Sequence, residues 1–380
     1  MNSFGSNRPL RILHIILAIK PPNGQYNEHC LPLMYERDIT ICTYFKSVWG
    51  ITPPAEITLF DGDNTLRGFL HALRTALKQK EYDVIHVHTP HAALLLPLGL
   101  LLFGLYRKLK LSTVHTIQNS FQNFKWHHKL MFIPGLVLNQ KLVFCSHASY
   151  ESFPGLYKWL AGDRVHIVQN AVDLDRIDRI TNAIRITHDD HFNIVTVGLI
   201  KIKNSLTVLE ASFKQNHDKT RLVILGEGGM RTVITQRIEQ LGLQQQAQLT
   251  GMVPRDKVFE YFTRADLFVS ASWGEGLPVA VMEAMACGRP VVLSDILPHR
   301  EIAEGVDFIP LVKPDDVAGF AREIKKFREM PEAQRILIGQ KCRRLIEEKF
   351  SLPAMHAGYK QVYAQIMDNQ APPLLETIGS

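Results

Sequence analysis

The chain has 380 residues, of which 46% are hydrophobic and 21% are charged, with five scattered cysteines. This balance excludes a disordered or collagen-like chain, and the length favours two domains over one. No two cysteines form a CxxC pair, so we expect a reduced, cytoplasmic compartment and no disulfide framework.

The net charge of +6 lies in the first half of the chain. Residues 1–182 contain 19 Lys and Arg against 13 Asp and Glu, whereas the remainder is balanced. Such a half suits an anionic partner, for example a phospholipid surface or a phosphorylated acceptor, although solubility alone also explains six charges. Nucleic acid is not expected, because the basic residues are not interleaved with an aromatic or helix-turn-helix motif.

Strand-like runs alternate with helical segments through this first half. Strands are predicted over 11–19, 38–45, 83–88, 111–116 and 141–146, with a helix over 65–80. No secretory leader is expected, because the first apolar run is followed by Lys20-Pro-Pro without a small-residue cleavage site. The longest apolar run, Ala92 to Tyr106, is shorter than the ~20 residues of a membrane span. It predicts a buried helix, and a membrane-touching helix is the alternative.

A second series of strands follows a polar stretch at 178–190. These strands are predicted over 192–200, 221–226, 246–251, 265–272 and 290–294. Strands that alternate with helices indicate doubly wound parallel sheets, so we expect an α/β protein with two Rossmann-like domains, 1–182 and 183–348. Their ligand would lie in the cleft beyond the strand carboxyl ends. Residues 349–368 predict an amphipathic helix, and 369–380 a frayed tail.

Two glutamates stand in an otherwise small and apolar stretch, SWGEGLPVAVMEAMACGRPVV at 272–292. Pro278 predicts the first residue of a helix that ends before Gly288, so Glu275 lies in the preceding loop and Glu283 inside the helix. The helix N-terminus is a ready anion site, and carboxylates accept hydrogen bonds from paired hydroxyls. A nucleotide sugar fits this arrangement, because its anionic diphosphate lies between two groups that carry hydroxyls, the ribose and the sugar. The alternative is that both carboxylates form structural salt bridges with Arg289 or Arg300.

The segment from Ala265 to Asp295 resembles the nucleotide-sugar site of the retaining glycosyltransferases of family 4, with their E-x7-E pattern and GT-B architecture of two facing Rossmann-like domains. Other segments resemble parts of the same family. These are NAVD at 170–173, VGLIKIKN at 197–204, LVILGEGG at 222–229, LTGMV at 249–253, HVHTP at 86–90 and TVHT at 113–116. The resemblance implies that the final helix crosses back to the first domain.

The resemblance also implies roles for individual residues. Glu275 would contact the transferred sugar, Glu283 the ribose and Lys203 the diphosphate, where a cationic point charge is suitable. The remaining implied positions are Gly198, Lys201, Gly226 and the amides of Gly276 and Leu277 on the donor, Met252 and Val253 at the base, His115 beside the acceptor and the reacting sugar, and Gly24 and His88 on the acceptor side.

One position departs from the family pattern. The residue after Gly198 is usually an arginine, and here it is Leu199. A guanidinium that could bind phosphate oxygens in pairs is therefore missing, and Lys201 is an imperfect substitute. This leaves open an unusual donor or a degenerate enzyme. The loop IKPPNGQYNEHC also has one glycine, Gly24, where the family often has two.

Histidines raise the possibility of a metal site. His86 and His88 share one face of a strand, and His115, His91 or the 127–128 pair could complete a zinc site. No Cys cluster, HExxH motif or nearby carboxylate supports it. We therefore expect no metal and no cofactor, and the family resemblance implies that a lysine and a helix dipole supply the positive charge instead.

The expected function is transfer of a sugar, with retention, from a nucleoside diphosphate donor to the hydroxyl of a lipid-linked or saccharide acceptor. Assembly of surface polysaccharide or glycolipid on the inner face of the cytoplasmic membrane, with peripheral membrane contact, would suit the basic first half. Two alternatives stay open: a non-catalytic glycosyltransferase-like binding subunit, and a sugar-nucleotide epimerase on the same scaffold.

Overall fold

A computed structural model describes residues 8–19, 24–46, 52–104, 112–185, 190–214 and 219–368. The predicted tail at 369–380 and the basic run at 107–110 lie outside these ranges. So do residues 20–23, directly before Gly24.

The first sheet has seven parallel strands in the order β3-β2-β1-β4-β5-β6-β7. The strands are β1 (Leu10–Ile16), β2 (Arg37–Thr43), β3 (Ile57–Phe60), β4 (Val84–Val87), β5 (Thr113–Ile117), β6 (Lys141–Phe144) and β7 (Val165–Ile167). The edge strands β3 and β7 were not predicted, because they are short and only partly buried and so lack a long apolar run.

Helices connect these strands. They are α1 (Gly24–His29), α2 (Leu66–Gln79), α3 (Pro90–Leu102), α4 (Trp126–Leu138), α5 (His147–Glu151), α6 (Gly155–Ala161) and α7 (Leu174–Thr181). The helix predicted over 65–80 is confirmed as α2. It begins where the Thr65 hydroxyl accepts a hydrogen bond from the Gly68 amide, which satisfies one of the free amides of the first turn.

The second sheet has six parallel strands in the order β10-β9-β8-β11-β12-β13. The strands are β8 (Phe192–Val197), β9 (Thr220–Leu225), β10 (Ala247–Leu249), β11 (Leu267–Ser270), β12 (Val291–Ser294) and β13 (Leu311–Val312). The helices around them are α8 (Ser205–Phe213), α9 (Arg231–Gln240), α10 (Arg255–Arg264), α11 (Val279–Ala286), α12 (Leu297–Ile302), α13 (Val317–Glu329) and α14 (Glu332–Lys349). Separate apolar clusters fill each face of the sheet.

The last helix, α15 (Leu352–Asp368), returns to the first sheet. Its Tyr359 and Tyr363 are buried in one cluster with Ile12 and Val84. The chain thus passes between the two sheets twice, and the two crossings lie side by side. Val172 forms a parallel bridge with Ser351, and its amide donates to the Phe350 carbonyl over 3.0 Å.

The apolar run that starts at Ala92 belongs to α3 as far as Leu102, but the prediction that this helix is buried was wrong for its outer face. Leu96 and Leu100 are buried, whereas Leu98, Leu101 and Leu102 are 40%, 64% and 62% exposed. A helix that is apolar on every side and covers one sheet must leave one apolar face outside. Within the described ranges, no helix is both long and apolar enough to cross a bilayer.

Candidate active site

A cavity of about 290 Å³ lies where the carboxyl ends of the two sheets face each other. Loops after strands of both sheets line it, as expected for doubly wound sheets. The lining residues are Gly24, Gln25, Glu28, His29, Gln118, Asn119, Asn170, Ala171, Lys203, Glu275, Gly276, Leu277, Pro278, Val279, Ala280 and Met355. Four residues that the sequence analysis assigns to donor or catalysis therefore meet in one cavity: Glu275, Lys203, Gly276 and Leu277.

The loop that presents Glu275 ends at the start of α11. Pro278 is the residue before the helix, and Val279 is the first helical residue, one position later than predicted. Gly276 lies against the first half of the molecule: a Cβ there would overlap the Gln118 carbonyl oxygen and lie 2.9 Å from the Asn119 Cα. Only a glycine allows this approach of two backbones.

Side chains of the first half hold this loop through its carbonyl groups. Ser120 donates to the carbonyl of Glu275, Ser146 to that of Gly276 over 2.9 Å, and Asn170 to that of Leu277 over 3.3 Å. The backbone around Glu275 is therefore fixed from across the cleft.

The carboxylate of Glu275 is paired with Lys203. The Lys203 Nζ lies 2.7 Å from Oε1 and 2.9 Å from Oε2, and the Ser272 hydroxyl donates to Oε1 over 2.7 Å. Gly198, in the left-handed region at φ = 104°, makes room for the lysine, because a Cβ there would lie 2.6 Å from the Lys203 Cγ. The Glu275 carboxylate and the Lys203 ammonium are thus held together at the cavity wall.

Glu283 is paired with an arginine that the sequence analysis did not consider. The Arg255 Nη2, on the first turn of α10, lies 2.8 Å from the Glu283 Oε1 and also bonds to Glu28 of α1. All three side chains are nearly buried. Burial, with Glu283 nearby, raises the pKa of Glu28 to about 7 against the opposing effect of Arg255. We call these two ion pairs the Arg255 bridge.

The arginines considered in the sequence analysis have other partners. Arg289 donates to the carbonyls of Cys287 and Ala265, and Arg300 pairs with Asp295. The salt-bridge alternative was therefore wrong in its partners. The partners of both glutamates are at the cleft: Lys203 lines the cavity, and Arg255 bonds to Glu28, which also lines it.

The other predicted donor residues lie around the carboxyl ends of β8, β9 and β10. Gly226, also at φ = 104°, faces Gly198, and a Cβ on it would lie 3.7 Å from the Gly198 Cα. Lys201 and Met252 are exposed, and Val253 is half-buried. None of these three residues lines the cavity. Leu199 is fully buried in the core of the second sheet, so it offers nothing to a ligand.

On the acceptor side, the structure differs from the sequence analysis at two histidines. Gly24 lines the cavity, but His88 is buried behind it, and His29 lines the cavity instead. His115 is fully buried in the middle of β5, with its ring 5.9 Å from that of Phe132. A completely enclosed imidazole has no face for a sugar, so the predicted place of His115 in the cleft is corrected: Gln118 and Asn119, after the end of β5, line the cavity instead.

Three buried histidines form a cluster beneath the cavity. Ligand nitrogens of His14, His86 and His88 lie within 4.8 Å of one another, and burial lowers the pKa of each, so the rings are neutral. The two nitrogens of His86 lie 2.7 Å from the hydroxyls of Tyr363 and Thr116, and His14 lies 2.9 Å from His88. A metal bound by His86 would have to replace one of its two hydrogen bonds. The arrangement favours a structural role, and the expectation of no metal stays a prediction.

Three kinds of site residue were missed from the sequence. Gln118 and Asn119 follow the predicted strand, so the rule that ligands bind beyond strand carboxyl ends would have found them. Met355 lines the cavity from the first turns of α15. Glu28 and Arg255 are 227 positions apart, and no local pattern pairs residues at that separation.

Two family models match consecutive parts of the chain. "Glycosyltransferase Family 4" matches residues 32–176, and "Glycosyl transferases group 1" matches residues 181–347. Two facing parallel-sheet domains with a cleft between them define the GT-B class of fold. The chain belongs to the group 1 glycosyltransferases of the family 4 type.

Relatives and solved structures agree with this assignment. EpsD of Bacillus subtilis (strain 168), a protein named as a glycosyltransferase, is 26% identical to this chain over 311 residues. The alignment covers 78% of this chain and 80% of EpsD. The alpha-monoglucosyldiacylglycerol synthase of Streptococcus pneumoniae is 24% identical over 60% of this chain and 54% of its own.

Among solved structures, sucrose-phosphate synthase of Thermosynechococcus elongatus has a TM-score of 0.78 at 16% identity, over 95% of this chain and all of the other. Anabaena HepE, solved with UDP and glucose, has a TM-score of 0.76 at 15% identity, over 94% of this chain and all of its own. At these identities the likeness confirms the GT-B fold and nothing finer.

Proposed function

We propose that this glycosyltransferase transfers a sugar from a nucleoside diphosphate donor to an acceptor hydroxyl with retention of configuration, and without a metal ion. The observation that supports it best is the pair of Glu275 and Lys203 in the cavity beside the start of α11. A cation and a helix N-terminus suit a diphosphate, and a carboxylate suits sugar hydroxyls.

In the proposed reaction the leaving group also acts as the base. The acceptor oxygen forms a bond to the anomeric carbon, the bond from that carbon to the diphosphate breaks with its electron pair, and the hydroxyl proton moves to the diphosphate on the same face. Lys203 and the first amides of α11 stabilise the charge that develops on the diphosphate. Glu275 holds the transferred sugar, and Glu283 holds the ribose.

Donor binding then requires two ion pairs to open. Glu275 must turn from Lys203 toward a sugar hydroxyl, and Glu283 must share or release Arg255 to accept the ribose hydroxyls. A similar solved structure holds UDP and glucose, so a uridine diphosphate sugar is the first donor to test. The acceptor proposed is a lipid-linked or saccharide hydroxyl, and a relative is named as a synthase of a glycolipid.

The test is turnover of a panel of nucleotide sugars by the full chain, with hydrolysis counted as transfer to water. We expect one donor to be consumed slowly, and Lys203→Met to reduce its turnover about a hundredfold. Glu275→Gln should lower kcat and Glu283→Gln should raise KM. Glu347→Gln, in an exposed pair with Arg343 on α14, is the control and should change neither. Parent rates in all three site variants would contradict the proposal.

One observation favours a second candidate, a non-catalytic binding subunit: the family's arginine is replaced by the buried Leu199. For that candidate, calorimetry would show nucleotide binding that is lost in Glu283→Gln, with no consumption of any donor. Interconversion of two donors would instead indicate an epimerase.

A further inference from the structure

The outer surface of the helix layer on one side of the first sheet is apolar. Its exposed large side chains include Leu101 of α3, Trp126, Leu130 and Val137 of α4, and Trp159 of α6. The two tryptophans are 73% and 76% exposed. We call this surface the α3–α4–α6 face. Contiguous exposed apolar surface of this kind marks a protein or membrane interaction site.

The pattern along α4 shows that the exposure is systematic. Phe132 and Leu136 are buried on its inner side, whereas Trp126, Leu130 and Val137 are exposed. Spacings of four and seven residues place the exposed three on one line along the helix. A helix on a soluble protein has a polar outer side, and α4 has an apolar one. The neighbouring α3, PHAALLLPLGLLL, has no charged residue.

The helices form one continuous surface. Gly135 of α4 lies against α3, since a Cβ on it would be 3.0 Å from the Ala93 Cβ. On the other side of α4, the Tyr157 hydroxyl of α6 donates to the Lys129 carbonyl over 3.2 Å. The three exposed sides therefore point away from the same sheet.

Neither α3 nor α4 contains an acidic residue, and α4 carries Lys129. Residues 84–150, which include α3 and α4, contain six Lys and Arg and no Asp or Glu. Lys125 is exposed immediately before Trp126 at the start of α4. The first acid after this stretch, Glu151, is already paired with Lys158 over 2.6 Å. A second copy of the same positive surface would be repelled, whereas an anionic one would be attracted.

We propose that the α3–α4–α6 face binds the chain to an anionic lipid bilayer, lying in the headgroup region without crossing it. Tryptophan is suited to that interface because its ring is apolar and its N–H is polar, and lysines attract anionic headgroups. This inference deepens the proposed function by naming the surface that brings the enzyme to a lipid-linked acceptor. It is tested without any sugar donor, so its failure and that of the transferase assignment are distinguishable.

The test is co-sedimentation of the full chain with vesicles of phosphatidylglycerol and phosphatidylcholine, and with phosphatidylcholine alone. We expect binding to the anionic vesicles that weakens as salt is raised. Trp126→Ser with Leu130→Ser should reduce it about tenfold, since two apolar side chains no longer enter the interface. Lys125→Glu should weaken binding to anionic vesicles only.

The matched control is Ile336→Ser with Leu337→Ser on α14, because these side chains are 50% and 54% exposed on the other half of the molecule. That variant should bind vesicles as the parent chain does. The proposal is overturned if anionic vesicles bind nothing, if both double variants bind equally, or if light scattering shows a dimer that only Trp126→Ser with Leu130→Ser dissociates.

Discussion

Glu28 and Arg255 form an ion pair across the cleft, with Glu28 on α1 beside the first sheet and Arg255 on α10 beside the second. The same guanidinium also bonds to Glu283, so one cation serves two nearly buried carboxylates. The Arg255 bridge therefore joins the two halves of the molecule at the place where a donor ribose is proposed to bind.

Removing the cation of the Arg255 bridge should be costly. Arg255→Met leaves Glu28 and Glu283 buried without a partner, and we expect the free energy of unfolding to fall by about 3–5 kcal/mol. Urea titration followed by circular dichroism measures it. Arg231→Met removes an exposed pair with Glu227 and should leave the free energy of unfolding nearly unchanged. An equal fall in the free energy of unfolding in both variants would show that the Arg255 bridge stabilises the fold no more than an exposed ion pair does.

The burial of Glu28 should also make stability depend on pH. The pKa of Glu28 is about 7 in the folded chain against an ordinary 4.5, so the folded state binds the proton more tightly. This contribution is fully present below about pH 4.5 and is lost as the pH rises through about 7, at up to about 3 kcal/mol. Thermal unfolding of the parent and of Glu28→Gln across that range measures it. The parent should lose stability relative to the variant as the pH rises. If the two stability curves run parallel with pH, the pKa of Glu28 is not raised in the folded chain.

Gly276 should not tolerate a side chain. In Gly276→Ala the new Cβ would overlap the Gln118 carbonyl, and the neighbour is backbone that cannot turn away. We expect the loop to shift and donor turnover to fall about a hundredfold, the cost of a misplaced reacting group. Gly229→Ala is the control, because no atom lies within 4 Å of its added Cβ. Donor kinetics of the two variants measure the difference, and similar rates would show that the loop position is unimportant.

The hydrogen bond between Tyr363 and His86 should help to hold α15 on the first sheet. Tyr363→Phe leaves one nitrogen of a fully buried imidazole without its partner, which costs about 1–3 kcal/mol. Tyr82→Phe removes a hydroxyl that donates to a helix carbonyl in a half-buried position, and it should cost less. Hydrogen exchange of the α15 amides should quicken only in Tyr363→Phe. If exchange does not quicken in Tyr363→Phe, the hydrogen bond between Tyr363 and His86 is not needed to hold α15 on the sheet.

Much of the fold follows from local patterns. Long apolar runs predicted the central strands, and the helix predicted over 65–80 is α2. The edge strand Ile57–Phe60 was missed because strand pairing, and not its own four residues, makes it a strand. The stretch that holds Glu275 and Glu283 predicted the loop and the helix at the candidate site, since both are local structures.

The partners of those glutamates could not be found in the same way. Arg255 pairs with Glu283 from a separate helix and with Glu28 from the other sheet, so its role exists only in the folded chain. His115 was misplaced because a strand residue and the loop after it can share one motif, although one is enclosed and the other faces the cleft. The outer side of α3 was misjudged because apolar composition does not distinguish covered from uncovered surface.

The bridge between Val172 and Ser351 has a mechanical consequence. Two chain segments that cross together behave as one joint, because sliding or twisting one half against the other would shear their hydrogen bond. We expect the two halves to open by a hinge rotation about a single axis. One pair of spectroscopic labels, placed on opposite sides of the cleft, would then report the whole movement through a single distance.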